Sequence, residues 1–148
     1  MDAATLIQKM QELKESFQAL YPMVEVNVCI KSVLVNSALY GNVQALCGAF
    51  NNIIENAIQA SNKCHKNYID ITIAMIKDET IIEFIDYGHG IEKLNIAKIN
   101  EGFFTTKENG TGLGLSIAKS IVEAHKGRIN IDSIVNQFTK ISVISFKW

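Results

Sequence analysis

Apolar residues recur along the first twenty positions at three- and four-residue steps: Leu6, Ile7, Met10, Leu13, Phe17 and Leu20. That spacing puts them on one stripe and predicts an amphipathic helix over residues 3–20. Pro22, the only proline in the chain, lacks an amide proton and fixes its own φ, so it ends the helix. The period then changes. Val24, Val26, Val28 and Ile30 fall on alternate positions, the pattern of a half-buried strand, and Ser32 to Asn36 reads as a second short extended piece.

Asn42 suits the N-cap of a long helix that runs to about Ser61, with Val43, Leu46, Phe50, Ile53, Ile54, Ala57 and Ile58 as its apolar positions. Asn51, Asn52, Glu55, Asn56 and Gln59 make a polar strip along the same helix. Residues 68–75 and 80–86 are rich in β-branched side chains and read as a hairpin joined by Lys77, Asp78 and Glu79. Residues 87–111 hold glycines, charges and the pair Phe103-Phe104, with a short helix predicted near Lys93 to Ile99. A further helix starts around Gly112, carries Leu115, Ile117, Ala118, Ile121, Val122 and Ala124, and is capped by Gly127. Strands over 128–133 and 139–146 close the chain. Three longer helices and five or six strands in mixed order predict an α+β two-layer sandwich, a mixed sheet covered by helices, in a single domain over 1–148.

Composition narrows the function classes. The chain has 148 residues, 48% of them hydrophobic and 20% charged, with a formal net charge of −1. No basic excess points to nucleic acid or to an anionic membrane, so any phosphate binding must come from local geometry. No apolar run approaches the roughly 18 residues of a membrane span, and residues 1–11 do not read as a signal peptide. A cytoplasmic location is expected. Cys29, Cys47 and Cys64 have no metal-like or redox spacing and read as small buried hydrophobes in a reducing compartment. His65, His89 and His125 lie too far apart for a zinc site.

Three stretches carry chemistry. Gly110-Thr111-Gly112-Leu113-Gly114-Leu115 leads into a helix, so its backbone N–H groups and the helix dipole can cradle an anion. No Gly-Lys-Ser/Thr follows, which excludes a Walker loop. Asp86-Tyr87-Gly88-His89-Gly90-Ile91 ends a strand with a carboxylate that can accept from an exocyclic amine, and its glycines let the chain approach a flat base. His89 reads as a variable position between two glycines, in preference to a catalytic base. Asn52 and Asn56, four apart, share a helix face, and their amide oxygens are hard ligands that suit Mg²⁺. Glu55 is adjacent to Asn56 and is a catalytic candidate with Asn52.

Together, Asn52-Ile53-Ile54-Glu55-Asn56-Ala57, Asp86-x-Gly88-x-Gly90-Ile91, Phe103-Phe104-Thr105-Thr106-Lys107 and Gly110-Thr111-Gly112-Leu113-Gly114-Leu115 resemble the four nucleotide-binding boxes of sensor histidine kinases, in the family's order and spacing. The chain resembles the catalytic and ATP-binding domain of such a kinase, of the Bergerat ATPase superfamily shared with gyrase, heat-shock and mismatch-repair ATPases. The likeness covers about residues 24–146. It implies that Asn56, assisted by Asn52, holds Mg²⁺ and that Asp86 binds the adenine amine. It also implies that Gly88, Gly90 and Ile91 shape the pocket and that Thr139 helps hold adenine through water. By the same likeness Thr105, Thr106 and Lys107 belong to a lid over 92–109, with Lys107 on the γ-phosphate. Gly110, Thr111, Gly112, Leu113, Gly114 and Leu115 wrap the phosphates.

The chain departs from the family at Gln59 and Ala60, where many relatives carry a basic residue and a tyrosine, and at Phe138, where a glycine is usual. No His-Glu or His-Asp pair occurs, so the phosphoacceptor histidine is not in this chain. The implied partners are ATP, a histidine-bearing dimerisation domain and, indirectly, a response regulator, with no nucleic acid or membrane contact. A stand-alone ATP-binding regulator, such as an anti-sigma-type serine kinase, is the alternative. Such regulators usually place a glutamate where Asn52 stands, and an amide cannot accept a proton at neutral pH.

Overall fold

The computed structural model describes residues 1–33, 41–64, 67–76, 79–100 and 111–146. Its elements run α1 (Ala3–Leu20), β1 (Glu25–Val33), α2 (Val43–Cys64), β2 (Tyr68–Ile76), β3 (Glu79–Asp86), α3 (Lys93–Asn100), α4 (Thr111–Ala124), β4 (Arg128–Ile134) and β5 (Phe138–Phe146). The α+β sandwich of the sequence reading is present, with five strands among the described residues. Residues 34–36 of the second extended piece, the turn residues Lys77 and Asp78, and 101–109 of the lid lie outside the described residues.

The sheet order is β1-β2-β3-β5-β4, with β1 parallel to β2 and the other pairs antiparallel. Its registers align side chains in rows across all five strands. One row is Ile30, Ile73, Ile82, Val143 and Ile129, and the next is Val28, Ile71, Phe84, Ile141 and Ile131. A third is Val26, Ile69, Asp86, Thr139 and Ser133. The first two rows are wholly apolar. The third turns polar at β3, and the site begins there.

Paired residues point to the same face of a sheet, and on this face α2 supplies Leu46, Phe50, Ile53, Ile54, Ala57 and Ile58, all buried. Phe50 meets Phe84 with ring centroids 6.0 Å apart. The opposite face is polar: Glu83 accepts from Thr72 at 3.4 Å and pairs with Lys140 at 3.5 Å. On that face Asp70 accepts from Asn27 at 3.2 Å and from the Tyr87 hydroxyl at 2.9 Å.

Helix ends follow from local chemistry. Asp2 accepts from the Thr5 amide at 2.8 Å and caps α1. Asn42 does the same for Ala45 at 2.9 Å, as its sequence position predicts. At the end of α4, Gly127 donates to Val122 and Lys126 to Glu123, a Schellman pattern whose left-handed residue is Lys126 (φ 61°) and not the glycine. Gly127 is required instead for close approach, since a Cβ there would sit 2.7 Å from the Ile144 carbonyl oxygen.

The expected burial along the first strand fails beyond its start. Val24 and Val26 are buried, Val28 is partly so, and Ile30 is 43% exposed. Cys29, expected inside, is exposed, and Cys47 is only half-buried. Cys29 is exposed because it pairs with Thr72, in the row of Glu83 on the polar face, while Ile30 lies on the covered face but in the edge strand β1. Where it is covered, the Gln18 side chain of α1 donates to the Val24 carbonyl and accepts from the Val26 amide at 3.0 Å, standing in for a neighbouring strand.

Candidate nucleotide site

Asp86 is the last residue of β3 and is 3% exposed. Its carboxylate accepts from the Gly88 amide at 3.0 Å. Burial pushes its pKa up to about 6, against the Gly88 hydrogen bond and the nearby His89, which both favour the charged form. A buried carboxylate that takes a single N–H bond among the described residues has acceptor capacity for a further donor.

The loop after Asp86 is clamped from two sides, and this is where its glycines matter. A Cβ on Gly88 would lie 2.6 Å from the Ala60 carbonyl oxygen on α2. A Cβ on Gly90 (φ 74°) would lie 2.5 Å from the carbonyl oxygen of Ile134, the last residue of β4. Glycine is thus required at both positions by contact with the protein's own backbone. Asn136, itself left-handed at φ 63°, donates its amide to His89 O at 2.7 Å. The His89 ring hydrogen-bonds through Nδ1 to Gly90 O at 2.6 Å, a structural bond for the histidine that the sequence analysis set aside as a base.

Ser133, which the sequence analysis did not single out, ties this loop to β5. Its hydroxyl accepts from the Ile91 amide at 2.8 Å, donates to Phe138 O at 2.8 Å and lies 2.9 Å from the Thr139 hydroxyl. A signal was present: Ile129, Ile131 and Ser133 alternate on one face, so a serine continues an apolar row. Thr139 is 3% exposed and pairs directly with Asp86.

Asn56 is 9% exposed on α2, while Asn52 and Glu55 are half-buried. Ala60, in contact with the Gly88 loop, lies four residues beyond Asn56, so α2 carries the asparagine pair to the level of that loop. Two observations bring up α4. It packs against α2, and a Cβ on Gly41, just before α2, would lie 2.3 Å from the ring of His125, just after α4. The end of α4 therefore meets the beginning of α2, and the two helices run antiparallel. The 14 residues of α4 span about 21 Å, which sets its first turn beside the part of α2 that bears Asn52 and Asn56. The backbone of Thr111, Gly112, Leu113 and Gly114 forms that turn, where amide protons have no helical acceptor. Among the described residues nothing lies within 4 Å of a Cβ built on Gly114. Leu115 is buried and anchors the turn, and Ile91 packs on the core. Thr105, Thr106, Lys107 and Gly110 lie outside the described residues.

These features converge on one kind of ligand. A buried carboxylate and a threonine hydroxyl suit a base, a glycine-bearing helix start suits phosphates, and two amide oxygens suit a hard cation. Among the described residues no group of three or more His, Cys, Asp or Glu side chains could hold a metal. No helix among the described residues is long and apolar enough to cross a membrane.

Comparison with known proteins agrees. The fold matches the nucleotide-free catalytic domain of histidine kinase ThkA, with a TM-score of 0.78 at 24% identity over 96% of this chain and 94% of that one. It matches the mycobacterial sensor histidine kinase MprB equally well, 0.78 at 21% identity over 95% and 93%. Among curated sequences, the heme sensor protein HssS of Staphylococcus saprophyticus is 35% identical over 83% of this chain. Sporulation kinase C of Bacillus subtilis is 26% identical over 92% of it. The chain spans only 26% and 33% of those two relatives' lengths. The model of the family described as histidine kinase-, DNA gyrase B- and HSP90-like ATPase matches residues 41–147, and the chain belongs to that ATP-using family.

Proposed function

We propose that residues 1–148 form one unit, the catalytic, ATP-binding part of a sensor histidine kinase, which transfers the γ-phosphoryl group of ATP to a histidine on a separate dimerisation domain. In the transfer the bond from the γ-phosphorus to its bridging oxygen breaks, a bond to an imidazole nitrogen forms, and ADP leaves. The observation that carries this reading is the polar end of the sheet, Asp86 paired with Thr139, next to a helix bearing Asn52 and Asn56. Asp86 and Thr139 orient the base, and the first-turn N–H groups of α4 hold phosphate oxygens. Asn56 and Asn52 suit Mg²⁺ because amide oxygens are neutral hard donors that leave room for water and phosphate. When bound, the ion neutralises charge on the phosphates. Lys107 is assigned to the γ-phosphate, and Thr105 and Thr106 to a lid that ends at residue 109. A response regulator is the downstream partner.

Positioning is the chief contribution of such a site. No proton acceptor is needed from Asn52, because the acceptor histidine is a nucleophile through its neutral nitrogen. Glu55 sits about 100° around the helix from Asn56, so water activation is not a strong feature of this design. The test is to incubate the chain and Mg²⁺ with γ-labelled ATP, with and without a histidine-bearing dimerisation domain. Acid-labile label on that domain, reduced by Asn56→Asp, supports the assignment. Fast ATP turnover by the chain alone, abolished by Glu55→Gln, makes it a hydrolase instead.

A further inference from the structure

Residues 87–90 connect the end of β3 to Ile91, and this loop is tied down at both ends. Asp86 is paired with Thr139, and the Ile91 amide donates to the Ser133 hydroxyl at 2.8 Å. Between those ends, among the described residues, one backbone bond reaches in from another segment: the Asn136 amide donates to His89 O at 2.7 Å. The residue before His89, Gly88, donates its own amide to the Asp86 carboxylate at 3.0 Å. The bond at His89 thus holds the loop one residue beyond Gly88. A loop that swung away from the hairpin would carry the Gly88 N–H off Asp86.

Asn136 makes that bond through its backbone, while its side chain is exposed. It sits in the turn between β4 and β5, which the Gln137 amide closes by donating to Ile134 O at 2.9 Å. Its φ is 63°. In that left-handed region Cβ crowds the backbone of every residue except glycine; asparagine tolerates the crowding better than most, and β-branched residues tolerate it least. A residue that refuses this φ rotates the neighbouring peptides and turns the amide away from His89. The fit is close elsewhere too, since a Cβ on Gly90 would lie 2.5 Å from Ile134 O and 2.8 Å from Val135 Cα. The hairpin tip and the loop are in backbone contact, so neither shifts alone.

We propose that Asn136 is a positioning residue for nucleotide binding: its left-handed backbone aims an amide at His89 O, and this clamp keeps the loop after β3 in the shape that presents Asp86 to the nucleotide. This inference rests on the reading of the site as a nucleotide pocket. Asn136 acts through His89 and Gly88. The clamp serves any nucleotide that uses Asp86 and makes no choice among bases.

The experiment is a backbone series in the full chain: Asn136→Gly, Asn136→Ala and Asn136→Val. ATP is titrated calorimetrically with Mg²⁺ present, and amide exchange is followed by NMR without nucleotide. Glycine adopts a positive φ freely, alanine at some cost and valine least of all. The amide of residue 136 should exchange slowly in wild type and Asn136→Gly, and much faster in Asn136→Val. Asn136→Gly should bind ATP within about twofold of wild type and Asn136→Val about tenfold more weakly, the scale of one lost hydrogen bond. Asn136→Ala should fall between them. A residue that only supported the fold would lower the urea midpoint of the variants and leave the folded chains alike in affinity, and that result overturns the proposal. An Asn136→Gly chain as weak as Asn136→Val overturns it too, because the side chain and not the backbone would then be at work. So does fast exchange at residue 136 in wild type. Should Asn136→Val not fold, Asn136→Ala and Asn136→Gly decide, and equal affinities overturn the proposal. A wild-type chain that binds no ATP overturns the reading of the site itself. One that binds ATP but gives a flat series overturns only the role of Asn136.

Discussion

Asp86 shows how one residue can link burial, stability and ligand affinity. Its pKa is raised from an ordinary aspartate's to about 6 because burial disfavours the charged form. The folded chain thus holds this proton more tightly than the unfolded chain. The resulting stabilisation is fully present below about pH 3.8 and is lost as pH rises through about 6. The difference amounts to about 3 kcal/mol. Asp86→Asn, which cannot ionise, should therefore gain stability relative to wild type between pH 4 and pH 8 by up to about that amount, as measured by urea unfolding at each pH. Nucleotide binding should move the other way. ATP affinity should fall as pH is lowered through about 6, because the protonated acid loses an acceptor. Asp86→Asn should bind ATP about 10- to 100-fold more weakly at pH 8, and calorimetry should show the pH dependence gone. Unchanged binding by a folded mutant would remove Asp86 from the site.

At the scale of elements, the glycines divide by the company they keep. Gly88 is pressed against the α2 backbone at Ala60, whereas Gly114 in the first turn of α4 and Gly48 in α2 have no described residue within 4 Å of an added Cβ. Gly88→Ala should cost about 1–3 kcal/mol by overpacking. Gly48→Ala and Gly114→Ala should each raise helix stability by about 0.5–1 kcal/mol. Of the two helix substitutions, only Gly114→Ala should also weaken ATP binding, because its new methyl enters the space proposed for phosphate. Thermal unfolding together with titration separates the three, and a Gly114→Ala chain that binds ATP as wild type does would argue against phosphate at that turn. The same elements show what a sequence can reveal. Periodicity placed the helices and strands to within two or three residues, since period and capping are local: Asn42 and Asp86 stand where their neighbours imply. The links through Gln18, Ser133 and Asn136 were not legible, because each depends on a register between segments joined only in the fold. The exposure of Cys29 was legible, since alternation with Val28 and Ile30 turns it to the face of Thr72 and Glu83.

At the scale of the whole molecule, the family match begins at residue 41, yet the core does not. Leu6 and Met10 of α1 are 0% exposed, Phe17 is buried, and Val26 continues the row that ends in Asp86, Thr139 and Ser133. Residues 1–33 are thus built into the same cluster as Phe50, Phe84 and Val122, with β1 paired along its length to β2. A helix that only decorated the surface would not bury two side chains completely. Leu6→Ala should therefore cost about 2–5 kcal/mol, a large share of the roughly 5–15 kcal/mol that keeps an ordinary domain folded. Gln18→Ala should cost about 1–3 kcal/mol, because it leaves the Val24 carbonyl and Val26 amide without their side-chain partner. Removing residues 1–22 combines these losses and leaves the start of β1 as an uncovered edge, so the shortened chain should unfold without a sharp transition or self-associate. ATP should still bind folded Leu6→Ala with near wild-type affinity, since the proposed site is made by α2, α4 and the β3, β4 and β5 end of the sheet. Urea unfolding followed by far-ultraviolet circular dichroism, with and without ATP, checks both halves of this expectation. A chain lacking residues 1–22 that unfolds as sharply as wild type, at the same midpoint, would show α1 to be an appendage and not a wall of the core.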